Sequence, residues 1–199
     1  MLPGLRIRLL ASEDPPVISA PFGALGWVKP PPPSQYERYL REQAARERVV
    51  LVATGEDALA GYLTIKGQPP YEPFRSEGIP EVTDLNVLPA LRRQGIASAL
   101  ADEAGARVVA VSPLIGIGVG MYPDYSPAQR MYVVRGCIPA GRVTSDRRHL
   151  QWGEPVRVDD DVVLFLTKRL VHSLTHTTRR FWRRPAEGAA SSRTPGPRG

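Results

Sequence analysis

Two β-rich runs, Val49 to Ala53 and Ala58 to Ile65, flank the turn residues Thr54-Gly55-Glu56-Asp57, and this spacing predicts a hairpin. A hairpin pairs its strands antiparallel, so any sheet that contains it is at least partly antiparallel. Around it the pattern interleaves. Leu5-Arg6-Ile7-Arg8-Leu9 alternates apolar and charged residues as a half-buried strand does, and Ser12 with the acids after it can cap a short helix. Lys29 to Pro33 holds four consecutive prolines and reads as a stiff extended connector, with helix resuming after a cap at Ser34. A loop rich in Gly and Pro, Gly67 to Pro80, leads to a strand over Glu81 to Leu88 that Pro89 ends. Ile96, Leu100, Ala104 and Val108, four apart, mark a helix from about Gly95 to Val109. A strand over Leu114 to Val119, a helix over Ser126 to Arg135 and further strands between Ile138 and Leu150 and at Val162 to Lys168 complete a mixed α/β, or α+β, domain.

The chain has 199 residues, enough for one domain, and a net charge of +6. Such a balance invites a nucleic-acid partner, but its distribution argues otherwise. From Val171 to Gly199 there are six arginines and one acid, so +5 of the charge lies in a Thr-, Arg-, Ser-, Gly- and Pro-rich tail, and residues 1–170 are nearly neutral. We therefore expect a domain over 1–170 and a tail over 171–199 that starts as a brief helix and fades into disorder. No apolar run reaches the roughly 18 residues of a membrane span. Arg6 and Arg8 interrupt the only stretch that could serve as a secretory leader, and the single cysteine, Cys137, fits a reducing compartment, so the expected location is cytoplasmic.

The stretch with chemical content is Val87-Leu88-Pro89-Ala90-Leu91-Arg92-Arg93-Gln94-Gly95-Ile96-Ala97-Ser98. A strand stops, a basic turn follows, and a helix begins at a glycine. Helix starts present unpaired N–H groups and roughly half a unit of positive charge, which together suit a phosphate or diphosphate. Gly95 and Ala97 would let an anion approach the backbone, and Arg92 and Arg93 add charge. About 30 residues later comes Ala128-Gln129-Arg130-Met131-Tyr132-Val133-Val134-Arg135-Gly136. With Arg92-x-x-Gly95-x-Ala97 before it, this pair of motifs resembles the GNAT superfamily of acetyl-CoA-dependent N-acetyltransferases, and the order of elements from Leu5 to Lys168 agrees. Two positions depart from the family's pattern: Tyr125, beside Asp124, stands where Asn is usual, and Cys137 where Phe is usual.

The resemblance implies a partly antiparallel sheet flanked by helices and splayed at the CoA site, with acetyl-CoA as donor and an amine as acceptor. It assigns Leu85, Asn86, Val87 and Leu88 to the pantetheine arm, with the Val87 N–H polarising the thioester carbonyl. Arg92, Arg93, Gln94, Gly95, Ile96, Ala97 and Ser98 go to the diphosphate, and Tyr125 and Ala128 line the cofactor. Tyr132 matches the tyrosine that donates a proton to the CoA sulfur; the plainer alternative is that it packs on the cofactor. An alkyl amine near pKa 10 must lose a proton before it attacks. Glu81, six positions before Val87, and Asp84 are the candidate bases, with a water chain as the alternative. Strand alternation places Glu81 with Thr83, Leu85 and Val87, and Asp84 on the opposite face with Asn86.

Other features carry less. Gly116-Ile117-Gly118-Val119-Gly120 lacks the spacing and the following helix of a dinucleotide turn, and reads as close packing or splaying of the strand. His172 and His176 have no third ligand nearby, so no metal is expected. Pro30 to Pro33, Trp27, Tyr36, Tyr39, Tyr71 and Phe74 would shape the acceptor pocket or merely pack. The expectation is direct acetyl transfer to a primary amine of a small molecule by a monomer or homodimer, without a nucleic-acid partner. The alternatives are a protein amine as acceptor and a non-catalytic acyl-CoA-binding or regulatory module.

Overall fold

The computed structural model describes residues 2–26, 31–56, 58–146 and 148–171. The expectations for Trp27, Pro30, His172, His176 and the tail fall outside the described residues. Eight strands form one sheet: β1 (Arg6–Leu9), β2 (Arg48–Gly55), β3 (Ala58–Lys66), β4 (Glu81–Val87), β5 (Leu114–Gly120), β6 (Ile138–Ser145), β7 (Arg148–His149) and β8 (Val163–Arg169). They lie in the order β1-β2-β3-β4-β5-β8-β6-β7. The hairpin is present as β2 and β3, and only β4 and β5 run parallel among the described pairs.

The two-residue period of β2 decides the layers. Val49, Leu51 and Ala53 face one way, into a core built with α4 (Ile96–Val108) and Tyr132 of α5 (Ser126–Val134). Val50 and Val52 face the other way, under α1 (Asp14–Gly23) and α2 (Pro33–Ala44), against Ile18, Phe22, Tyr36 and Tyr39. Both faces are covered, which is why β2 and β3 read as continuous apolar runs. The predicted stripe of α4 is the buried one: Ile96, Leu100, Ala104 and Val108 are at most 1% exposed. Burying each larger member of that stripe contributes about 1.5–3 kcal/mol.

Three local expectations are corrected. Helix α2 begins at Pro33, with Pro32 as its cap residue and Ser34 inside the first turn, because a proline needs no N–H there and its φ already suits a helix. Ser12 does not cap α1; its hydroxyl bonds Glu13, while Asp14 accepts from the Ala11 N–H and from Arg8. Within the Gly/Pro-rich loop sits a short helix, α3 (Glu72–Ser76), which lets Tyr71 and Phe74 bury against Phe165.

Candidate active site

Strand β4 carries one residue too many for its partner. Opposite it, Thr64 pairs with Asp84 and the next residue, Ile65, with Val82, so Thr83 is the extra residue of a bulge. A bulge breaks strict alternation. Thr83 and Asp84 are consecutive, yet both reach Thr64: its Oγ1 lies 2.7 Å from Thr83 Oγ1 and donates to Asp84 Oδ2 at 3.1 Å. Val82 and Leu85 turn to the opposite face and pack into the α4 core. The expectation that Glu81 and Asp84 point to opposite faces is therefore wrong. Glu81, two residues before Thr83, shares the face of Asp84 but sits 7% exposed near Tyr71, whose phenol is raised by burial and, in part, by the Glu81 charge.

Asp84 opens into a polar cavity of about 390 Å³ between β4 and α2, lined also by Tyr39, Arg48, Thr83, Glu42, Arg38, Lys66 and Pro70. Tyr39 donates to Asp84 Oδ2 at 2.7 Å. Arg48, 5% exposed, donates to Glu42 at 2.5 Å, to Thr64 at 2.7 Å and to Thr83 at 2.9 Å, and its guanidinium lies 4.0 Å over the Tyr39 ring. Burial pushes the Asp84 carboxyl above its ordinary pKa, and the Tyr39 hydrogen bond, the Arg48 charge and the Thr64 hydrogen bond only partly offset it.

On the other face lies a mostly apolar cavity of about 430 Å³. Val82, Leu85, Ile115 and Ile117 floor it, Ala101 and Gly105 of α4 form one wall, and Tyr132, Arg135 and Cys137 form the other. It lies beside the place where the sheet parts. β4 and β5 pair only at Glu81–Gly116 and Val82–Ile117; beyond that, β4 stays with β3 and β5 with β8. The Leu88 N–H donates to Ala60 O at 3.0 Å on β3, so alternation turns the Val87 N–H to the other edge, toward the gap. The Asn86 side chain is held on the polar side by a 3.0 Å hydrogen bond to Tyr62.

Tyr132 is 7% exposed, and burial raises its phenol well above the ordinary tyrosine range, so it stays protonated at every working pH. Helix α5 is held in place by Gln129, which donates to Gly120 O at 2.8 Å, and by the Arg135–Asp102 ion pair to α4. Ala128 packs on the core. Tyr125 lies against Gly120, where any Cβ would meet its ring at 2.5 Å, and burial, with Asp160 nearby, raises its phenol.

Gly95 caps α4 with φ +83°, a left-handed conformation that glycine adopts without strain. Open space surrounds it, since a Cβ there would meet no atom within 4 Å. No side chain caps the helix, and the first N–H groups, of Ile96, Ala97 and Ser98, face outward at its start because the ladder begins with Ala99 to Gly95 O. Arg92 and Arg93 are exposed beside it; Arg92 also donates to Val87 O at 3.3 Å, linking the turn to the end of β4. The Gln94 carbonyl accepts from the Leu2 N–H, which fixes the turn from behind.

The expected site residues thus gather along β4, at the α4 start and on α5. Of the aromatic residues expected at the acceptor pocket, Tyr39 lines the polar cavity, whereas Tyr36 packs against Tyr62, and Tyr71 and Phe74 against Phe165. The sequence reading missed Arg48, Glu42, Thr64 and Lys66. The available signal was Arg48 itself, a charge at the head of the apolar run Val49 to Ala53.

A parted sheet with an uncapped, basic helix start near one end of β4 has the open backbone groups and positive charge that suit an anionic ligand. The profile of the acetyltransferase (GNAT) family matches residues 15–133, and the chain belongs to that family, whose acetyl donor is acetyl-CoA. Solved structures agree on the fold. A putative GNAT acetyltransferase from Desulfovibrio desulfuricans superposes with a TM-score of 0.65 at 18% identity, over 84% of this chain and 99% of that one. An N-acetyltransferase from Staphylococcus aureus Mu50 gives 0.64 at 15% identity, over 84% and 99%. A ribosomal-protein-alanine N-acetyltransferase from Brucella melitensis gives 0.60 at 21% identity, over 83% and 99%. No curated protein matches the sequence.

Proposed function

We propose that this protein transfers the acetyl group of acetyl-CoA to the primary amine of a small molecule, by direct attack of the amine on the thioester. The observation that supports this reading is that β4 stands between two unlike cavities, an apolar one with Tyr132 and a polar one with Asp84. When bound, acetyl-CoA supplies the electrophilic thioester carbon. The N–H groups of Ile96, Ala97 and Ser98, with Arg92 and Arg93, hold its diphosphate, and the edge of β4 from Leu85 to Leu88 orders its arm.

Asp84 accepts the proton that the amine gives up. A carboxylate raised by burial is a stronger base than an ordinary one, which narrows the gap to an alkyl ammonium near pKa 10. Glu81, enclosed near Tyr71, is the weaker candidate. The Val87 N–H donates to the carbonyl oxygen as it gains charge. Tyr132 donates toward the departing sulfur; because its phenol is less acidic than free tyrosine, it acts as a hydrogen-bond donor more than as a full proton source.

Release of free CoA across a panel of small amines, together with a peptide bearing an N-terminal alanine, tests this. Turnover with a small amine supports the proposal. Turnover confined to the peptide would make a protein amine the acceptor, and tight CoA binding without release above background would make the chain a binding module.

A further inference from the structure

The charges of the polar cavity are unequal, and their arrangement names the kind of amine it takes. Arg38, Arg48 and Lys66 face it against the carboxylates of Glu42 and Asp84. Glu42 serves all three cations. Arg48 Nε holds it at 2.5 Å, while Arg38 Nε and Lys66 Nζ stand at 3.7 Å and 4.0 Å, at ion-pair but not hydrogen-bond distance. Burial would raise the Glu42 carboxyl, yet the Arg48 hydrogen bond and the three nearby positive charges keep it below its ordinary value, so it is fully ionised. Even so, Glu42 and Asp84 are two carboxylates against three cations, and Arg48 takes the tight contact with Glu42.

Asp84 stands 4.0 Å from Arg48, at ion-pair but not hydrogen-bond distance, and is the carboxylate that no cation holds tightly, so it can meet an incoming ammonium. It lies on the bulge of β4, the strand whose far edge faces the gap. Arg38 and Lys66 lie on other elements, α2 and the end of β3, and their side chains are 55% and 29% exposed, so their N–H donors can turn to a ligand. We propose that the acceptor is a small amine that also carries an anionic group, a carboxylate or a phosphate, held by Lys66 and Arg38 while its amine meets Asp84. This rests on the reading of the cavity as the acceptor site. A second ammonium in place of the anion would face three cations with one shared carboxylate between them, and the cavity disfavours it.

The test compares 4-aminobutyrate with 1,4-diaminobutane, similar in length and opposite in charge at the far end, using the full-length protein. CoA release gives kcat/KM, and calorimetry on the protein saturated with CoA gives affinity. The expected result is a preference for 4-aminobutyrate of about tenfold or more in both measurements, the size of one well-placed ion contact. Lys66→Glu should reverse it, weakening 4-aminobutyrate and improving the diamine, with CoA affinity retained as the sign of an intact fold. Equal or better use of 1,4-diaminobutane, or turnover of neutral amines with neither probe bound, overturns the charge assignment and leaves amine acetylation standing. Failure of every amine to release CoA overturns both.

Discussion

The Tyr39 hydroxyl, on α2, donates a 2.7 Å hydrogen bond to Asp84 on the β4 bulge, across a sequence separation of 45 residues. The bond favours the ionised form of Asp84, against the burial that raises its carboxyl. Burial keeps the Tyr39 phenol itself above the ordinary range, so it remains a donor throughout the working pH range.

Tyr39→Phe removes that bond and leaves the ring. Asp84 then rises further, so the acid limb of kcat/KM should move to higher pH, and stability should fall by about 1 kcal/mol. A pH–rate profile beside a denaturant titration reads both. An unmoved acid limb would mean that Asp84 is not the group titrating there.

Asp84→Asn separates activity from stability. If Asp84 is the base, as proposed, its loss should cost about 10²-fold or more in kcat. The native carboxyl is raised above its unfolded value near 3.9, so the folded state binds the proton more tightly. That stabilisation is present below the unfolded pKa and is lost as pH rises through the folded one. The variant lacks this loss, so its melting temperature should gain on that of the native protein from about pH 4 upward and stay ahead at neutral pH. Parallel melting curves across that range would contradict the buried-carboxyl account.

On the proposed role of Tyr132 at the leaving sulfur, Tyr132→Phe should lower kcat by about 10²-fold while calorimetric CoA affinity stays within about twofold. If affinity falls and kcat does not, Tyr132 packs on the donor and does no more.

Gly95→Glu should weaken CoA binding by more than tenfold through charge conflict with the diphosphate and strain at φ +83°. Gly95→Ala isolates the strain. It should cost about 1–2 kcal/mol of stability with a smaller loss of affinity, since a Cβ there meets open space. Unchanged affinity in the Glu variant would move the diphosphate elsewhere.

Gly116→Ala places a Cβ 2.3 Å from the Phe74 ring. Thermal or chemical unfolding should show a loss of about 1–3 kcal/mol, partly recovered by adding Phe74→Leu, which shortens the ring that the new methyl meets. Additive effects of the two changes would show that the contact is not what constrains this position.

Local chemistry made much of the fold legible. The hairpin, the α4 stripe from Ile96 to Val108 and the turn at Gly95 are each specified by residues within a few positions of one another, and periodicity and backbone sterics act at that range. Of the two readings of the β5 glycines, close packing or splaying, the structure shows the first at the glycines themselves, with the rings of Phe74, Phe165 and Tyr125 lying against them. The uncapped helix start at Gly95 was readable because it is set by residues next to one another in the chain.

The acceptor side was not readable. Alternation carried Glu81 and Asp84 to opposite faces, and only the register of β4 against β3 reveals the extra residue Thr83 that brings them to one. Arg48 is a single basic residue in sequence; pairing with Glu42, Thr64 and Thr83 makes it the centre of a buried polar network. By itself, then, the sequence determined the elements, the family pattern and the open helix start at Gly95, because these follow from neighbours in the chain. Tertiary structure alone decided on which face each carboxylate of β4 stands and what charge surrounds it. Those depend on strand register and on cations brought together from α2, β2 and β3, and neither leaves a local periodic signal.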